Sequence, residues 1–350
     1  MLKLLVKKKQ PPRPVSLKEH YERRHRILIK RGCGGFGDTL IARMMFEGFS
    51  NAFPGAEVTF SCPNHFILMA ENHPFAKTAP LGAIDENYYG VVYDVSTACR
   101  VHESRHGPKN TSNRSDIWAA HCGVKLTTHE MYLKPLPEML ANSEGVLKYH
   151  NKENKPTVLL VMTSQHPQLP VGGDNFGMGK SINLDQLPDI VEGLRNRGYF
   201  VFTIHSERQA EFDRLGVEQF TSIHPQAWIS LVSLADYVIT IDTATLHIAG
   251  GLKKPTVAVF AFTPSLPYIK YYTNIEPIQG PCPWGYQGCF TTYIHCKKKD
   301  AEPFPCQAGL VSSDILASFD RLVRKFPLGK SPTSESVQKS RQIDLLAHTA

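Results

Sequence analysis

The chain has 350 residues, of which 42% are hydrophobic and 20% charged, an ordinary globular composition with room for two domains. No apolar run reaches the ~18 residues of a membrane span, and Met1–Val6 is too soon interrupted by Lys7–Lys9 for a signal peptide, so the expected location is cytoplasmic, peripheral at the inner membrane face if the acceptor lies there. The net charge of +7 is uneven: residues 1–31 carry eleven Lys/Arg against Glu19 and Glu22, whereas the rest carries 28 basic and 30 acidic side chains.

In chain order, residues 1–25 form a basic arm whose Pro11, Pro12 and Pro14 argue against one continuous helix. The arm reads either as a contact for a polyanion, nucleic acid or anionic lipid headgroups, or as a solvated tail with no partner. Arg26–Arg31 (RILIKR) reads as a short buried strand, Gly32–Gly37 as a loop, and Thr39–Phe53 as a helix with Leu40, Met44, Met45, Phe49 and Phe53 near helical spacing. Pro54-Gly55 ends that helix and Glu57–Cys62 is a second strand, a βαβ start that predicts a parallel sheet. Tyr89–Val95 is a later strand, and residues 103–118, polar and basic with Gly and Pro, read as an acceptor-side loop. The polar linker Asn151–Pro156 marks a boundary between a first domain, 26–150, and a second, 157–326. The second repeats the βα logic: strand Thr157–Met162, helix Leu184–Arg197, strand Tyr199–Ile204, helix Glu207–Leu215, helix Trp228–Leu234, strand Tyr237–Ile241, short helix Thr243–Gly250 and strand Thr256–Phe260. Residues 275–310, rich in Cys and Pro, read as irregular, Val311–Phe326 as a helix, and 327–350 as a loose tail.

Gly32, Gly34 and Gly37 have the spacing of a dinucleotide-binding loop, a weak signal by itself. Such a site also needs an acidic residue at the end of the second strand for the ribose hydroxyls. That strand ends Phe60-Ser61-Cys62-Pro63, so a nicotinamide-type cofactor is disfavoured and none is expected. Glycine still lets a ligand approach the backbone closely. Asp38 follows at the helix start, either as a plain N-terminal cap or as a carboxylate presented at the carboxyl edge of the sheet, where α/β proteins bind ligands. In the second half a buried strand ends at Asp242, and Thr243, Ala244 and Thr245 open a short helix carrying His247. The N–H groups and hydroxyls at such a helix start suit a diphosphate.

These two segments carry a resemblance to glycosyltransferase family 9, the ADP-heptose:lipopolysaccharide heptosyltransferases and their relatives. The first is RILIKRGCGGFGDTLIARMMFEGFSNAFPGAEV; the second runs Asp242-Thr243-Ala244-Thr245-Leu246-His247, then Lys254-Pro255-Thr256-Val257-Ala258-Val259-Phe260. The resemblance spans roughly 26–325. Ala244 stands where a glycine is usual, Ala261-Phe262-Thr263-Pro264 replaces a Gly-Pro-Thr, and 165–178 is longer than the usual loop.

The resemblance implies an α/β fold of the GT-B type: two Rossmann-like, doubly wound domains facing across a cleft, with the acceptor on the first and the nucleotide sugar on the second. It implies an inverting, metal-independent sugar transfer from a nucleotide-diphosphate sugar. Asp38 matches the general base and Lys180 the lysine that neutralises the diphosphate leaving group, unless Lys180 is a solvated loop lysine. Thr163 and Ser164 would hydrogen-bond the same phosphates. Glu207 matches a position that contacts the nucleoside ribose, or is an exposed glutamate at a helix start. Asp242 and Thr243 would hold the diphosphate, with His247 one turn on, unless His247 is a core histidine satisfied by its neighbours. Gly34, Gly35 and Gly37 would form the acceptor-side loop.

Cys282, Cys289, Cys296 and Cys306 fall within one short segment without a CxxC. They read as partly buried free thiols or as a structural zinc or iron site; no catalytic metal is expected. The expected acceptor is a lipopolysaccharide core or another polyanion met by the arm. The alternatives are transfer to hydroxymethylated bases of DNA, which must leave the stack, and a catalytically silent nucleotide-sugar or nucleic-acid binding protein on the same fold.

Overall fold

The computed structural model describes residues 25–164, 180–222, 224–282 and 305–329. The basic arm up to residue 24, the long stretch 165–178, Cys289, Cys296 and the tail beyond 329 lie outside the described residues.

The first half is a four-stranded parallel sheet of β1 (Arg26–Lys30), β2 (Glu57–Cys62), β3 (Lys77–Pro80) and β4 (Val91–Asp94), in the order β3-β2-β1-β4. The second is a six-stranded parallel sheet of β5 (Thr157–Val161), β6 (Phe200–His205), β7 (Glu218–Thr221), β8 (Tyr237–Ile241), β9 (Thr256–Phe260) and β10 (Ile275–Gln279), ordered β10-β9-β8-β5-β6-β7. Numbered within its own half, that order is the doubly wound 3-2-1-4-5-6. The central strands TVLLV, YVITI and TVAVF are buried along their whole length, as parallel strands covered by helices on both faces must be. β3 and β10 both contain proline, tolerated because each is an edge strand with one unpaired side.

In each half the strand order reverses beside the first strand, and the crevice at the carboxyl ends there is where ligands bind in such sheets. In the first half this falls between β1 and β4; Gly32 N–H donates to Ser96 Oγ at 2.7 Å and joins the two strand ends. In the second it falls between β5 and β8, whose ends lead into Thr163-Ser164 and Asp242-Thr243.

Helix α1 (Phe36–Ala52) begins three residues earlier than its spacing predicts, with Gly35 as N-cap and Asp38 in its first turn. Its buried residues, among them Leu40, Ile41, Met44, Met45, Phe46 and Phe49, lie all round the helix. A helix apolar on every side is covered on every side. Here the partners are the first sheet and a helix of the other half, α2 (Ala244–Gly251). Arg43, 1% exposed within α1, donates to four carbonyls: Met131 at 2.8, Glu71 at 2.7, Tyr132 at 3.0 and Met69 at 3.2 Å. Desolvation lowers its pKa to about 10, and the four carbonyls give the buried cation the polar shell it needs.

Several expectations are corrected. Residues 103–118 are not a loop: helix Ala98–His106 and helix Arg114–His121 occupy most of them, broken at Gly107 and capped by the Asn113 side chain, which accepts Ser115 N–H at 2.9 Å. Helix Pro137–His150, packed on Pro225–Leu234 of the second half, and strands β3, β7 and β10 carry no strong sequence pattern. The region 275–310 is not wholly irregular, since β10 opens it and a one-turn helix, Pro305–Ala308, lies near its end.

One hydrophobic cluster runs through both halves, from Leu40, Met44 and Phe60 to Leu246, Ile248 and Phe260; a second, around Val158, Ile239 and Phe319, fills the outer face of the second sheet. Polar ties also cross the joint. Asn113 Nδ2 donates to Pro267 O at 2.7 Å, Tyr271 Oη and Lys270 Nζ reach Asp116 at 2.6 and 3.0 Å, and Lys253 pairs with Glu130 at 3.0 Å.

Candidate active site

The glycine loop folds round an ion pair. Arg31, 2% exposed at the end of β1, places Nη2 3.0 Å from Asp38 Oδ2, and Nη1 donates to Thr39 Oγ1 at 3.0 Å. Gly35 N–H donates to the same Oδ2 at 3.1 Å. Gly34 has φ +103°, and a Cβ there would overlap Arg31 Nη2 and press on Asp38 Oδ2 at 2.5 Å. This position needs glycine for its backbone and for the space the ion pair fills. Gly35 has nothing within 4 Å of its would-be Cβ. Gly37 lies inside α1, not in a loop, and its would-be Cβ falls 2.8 Å from His247 Cδ2 across the joint.

Asp38 Oδ1 accepts from a second guanidinium, Arg114 Nη1. Burial works against ionisation of Asp38, but Arg114 and then Arg31 outweigh it and hold the carboxyl well below the usual carboxylate range. Asp38 therefore does more than cap a helix: it is an anion locked between two cations.

On the other side of the joint, Lys180 Nζ lies 2.7 Å from Asp242 Oδ2. Asp242 is buried, and although burial opposes its ionisation, Lys180 and then His247 hold its pKa below the usual value. Thr243 is the N-cap of α2, with its hydroxyl turned back 3.4 Å from Thr240 Oγ1. His247 is 2% exposed; its Nδ1 lies 2.9 Å from Tyr272 Oη and its Nε2 3.9 Å from Asp242 Oδ1. Burial lowers its pKa to about 4, so it is neutral at pH 7 and fills space as a core histidine does. Thr163 donates to Gln209 Oε1 at 2.8 Å and Ser164 N–H to Ser181 Oγ at 2.9 Å, which joins the end of β5 to the residue after Lys180. Glu207 is exposed and precedes the one-turn helix Ala210–Arg214 rather than starting it. Among the described residues no group of three or more potential metal ligands converges.

The structure thus brings Asp38, Asp242 and Lys180 together around the neutral His247, although Asp38 and Asp242 come from different halves. Sequence reasoning missed Arg31, Arg114, Glu103 and Tyr268, which complete the cluster. The signal for Arg31 is a charge closing an apolar strand immediately before the glycines; Arg114 and Glu103 lie in the stretch read as loop.

The stretch 221–278 matches the family model described as glycosyltransferase family 9 (heptosyltransferase). No curated protein sequence matches the chain. Among solved structures, a glycosyl transferase family 9 protein from Veillonella parvula is 11% identical with a TM-score of 0.65, over 86% of this chain and 98% of that one. The ADP-heptose lps heptosyltransferase II of E. coli is 12% identical with a TM-score of 0.54, over 86% and 99%. The iron-containing dodecameric glycosyltransferase TibC of enterotoxigenic E. coli is 16% identical with a TM-score of 0.58, over 86% and 77%. Such low identities speak for the fold, and the matched segment, which holds β8, Asp242, His247 and β9, speaks for the family. The chain has the GT-B fold of these glycosyltransferases, and its segment 221–278 is similar to the glycosyltransferase family 9 (heptosyltransferase) model.

Proposed function

We propose that this protein moves a sugar, heptose or a close relative, from a nucleotide-diphosphate sugar to an acceptor hydroxyl with inversion and without a catalytic metal. The acceptor sits on the first half, 26–150, and the donor on the second, 157–326. The acceptor oxygen attacks the anomeric carbon, the bond from that carbon to the diphosphate oxygen breaks, and the hydroxyl proton passes to Asp38. A carboxylate this acidic is a weak base, but in an oxocarbenium-like transition state the proton leaves late, once the attacking oxygen has become strongly acidic. Lys180, now paired with Asp242, turns to the departing diphosphate, whose charge grows along the reaction. The N–H groups at the start of α2 and the Thr163–Ser164 segment supply further donors. Glu207, exposed beyond β6, would meet the nucleoside.

The observation that carries this reading is the meeting at one joint of an ionised carboxylate from the first switch point and a lysine–aspartate pair from the second. The fold neighbour that acts on ADP-heptose and lipopolysaccharide favours a lipopolysaccharide core as acceptor, with the basic arm drawn to its anionic groups. The test is Asp38→Asn in full-length protein: transfer should be abolished while donor binding stays within a few-fold. Transfer near the wild-type rate would leave Asp38 as a structural anion and end this mechanism.

A further inference from the structure

Behind Asp38 stands a second carboxylate that the proposed chemistry does not use. Glu103, 1% exposed on helix Ala98–His106, accepts Arg114 Nε at 2.7 Å and Arg114 Nη2 at 3.0 Å. That two-point grip takes one edge of the guanidinium and leaves Nη1 for Asp38. The face of the same group lies 5.3 Å from the ring centroid of Tyr268, from the other half. Arg114 is therefore held at one edge and over one face before it touches Asp38. A carboxylate has about four acceptor positions. On Asp38, Arg31 and Gly35 take the two of Oδ2 and Arg114 takes one of Oδ1, so a single acceptor position remains, on Oδ1.

We infer that Arg114 and Glu103 are positioning residues for the proton-accepting oxygen: Glu103 fixes the guanidinium, and Arg114 fixes the Asp38 carboxylate so that Oδ1 alone is open to the acceptor hydroxyl. The inference deepens the reading of Asp38 as base and rests on it. Glu103 has a second effect. By sharing the Arg114 charge it weakens the hold on Asp38 and keeps some basicity there. The other titratable groups facing this cluster are Cys99, Tyr268, His247, Asp242 and Lys180. Burial raises Cys99 and Tyr268 and lowers His247 to about 4, so all three are uncharged around neutral pH.

The test follows the Asp38 carboxyl carbon by NMR in full-length protein with labelled aspartate, the signal assigned by its absence in Asp38→Asn. In wild type the midpoint should lie below the ordinary carboxylate range. In Arg114→Gln it should rise by about 1–3 units, the usual effect of one adjacent charge, and the acid limb of kcat should rise with it. Arg114→Lys, which keeps the charge but not the fork, should leave the midpoint low and still lower kcat. If Arg114→Gln does not fold because Glu103 is left buried and unpaired, the double variant Glu103→Gln/Arg114→Gln removes that charge and should show the same rise. In Arg114→Gln, or in the double variant, an unmoved midpoint or a fall in kcat with the acid limb unshifted overturns the inference, as does an Arg114→Lys enzyme with wild-type kcat. Active Asp38→Asn with a midpoint that still moves in Arg114→Gln overturns the base assignment instead.

Discussion

Replacing Gly34 by alanine should disrupt the site through its backbone and the Arg31–Asp38 ion pair, whereas Gly35→Ala, one residue on, should be mild. At Gly34 the φ of +103° lies where an L side chain is strained by about 1–3 kcal/mol. The new Cβ would also occupy the place of Arg31 Nη2, and Arg31, at 2% exposure, has no solvent to move into. Breaking a buried ion pair from one side typically costs about 3–5 kcal/mol. The two effects overlap, so a loss of about 3 kcal/mol or more is expected, or roughly 6 °C or more in Tm at about 2 °C per kcal/mol for a chain of this size. Gly35 has open space at its Cβ, and only its N-cap preference is at stake, about 1 kcal/mol. Thermal unfolding of both variants, read by circular dichroism beside the Asp38 carboxyl titration, measures the difference. Equal Tm values for Gly34→Ala and wild type, with the Asp38 midpoint unchanged, would refute the claim that the glycine exists to admit Arg31.

On the donor side, Lys180→Ala should slow turnover by about 10²-fold or more, as expected for a lost transition-state charge contact, and steady-state kinetics with nucleotide release will show whether it does. Stability should fall on acidification from about pH 6.5 to 4. His73, His205 and His247 are held to pKa values of about 3, 4 and 4 by burial, so they stay neutral in the fold while the unfolded chain takes up their protons, and each contributes up to about 1.4 kcal/mol per pH unit. Urea titrations at pH 7 and pH 5 test this, and equal midpoints would contradict it. Transfer should survive exhaustive chelation, because the cations proposed for the diphosphate are side chains and amides; a rate restored only by added divalent metal would overturn that. Deleting residues 1–24 should spare turnover on a small acceptor but weaken binding to anionic vesicles and flatten its salt dependence, which a sedimentation assay across ionic strengths can check.

What could be read from the sequence followed from how each segment is buried. β5, β8 and β9 are continuous apolar runs because both their faces are covered, and they stand out. β3 (KTAP), β7 (EQFT) and β10 (IEPIQ) are short edge strands with charges or proline, and nothing in such pieces separates them from loops. Helices Ala98–His106 and Arg114–His121 bury only a few residues each, such as Cys99, Ile117 and Trp118, so their polar faces dominate the pattern. Asp38 announced itself because glycines precede it. Its partner Arg114 lies 76 residues away, and Glu103 a further helix back, so their meeting is set by the packing of helix Arg114–His121 on α1 and of helix Ala98–His106 on Arg114–His121, and leaves no local trace.

The joint between α1 and α2 has a mechanical consequence. It is built on glycine: a Cβ at Gly37 would meet His247 Cδ2 at 2.8 Å, and one at Gly251 the Met131 sulfur at 2.7 Å. The apolar cluster continues through it without a break. Swinging the halves apart like a book would wet Leu40, Leu246 and Ile248 together, at about 25 cal/mol for each Å² exposed. Smooth, close-packed surfaces instead permit sliding, a shear of one helix along the other by an ångström or two, with the core kept dry. Substrate entry and product release should then register as small coupled displacements of Asp38, in the first turn of α1, and Asp242, at the end of β8; the shared interior should also keep the unfolding transition single.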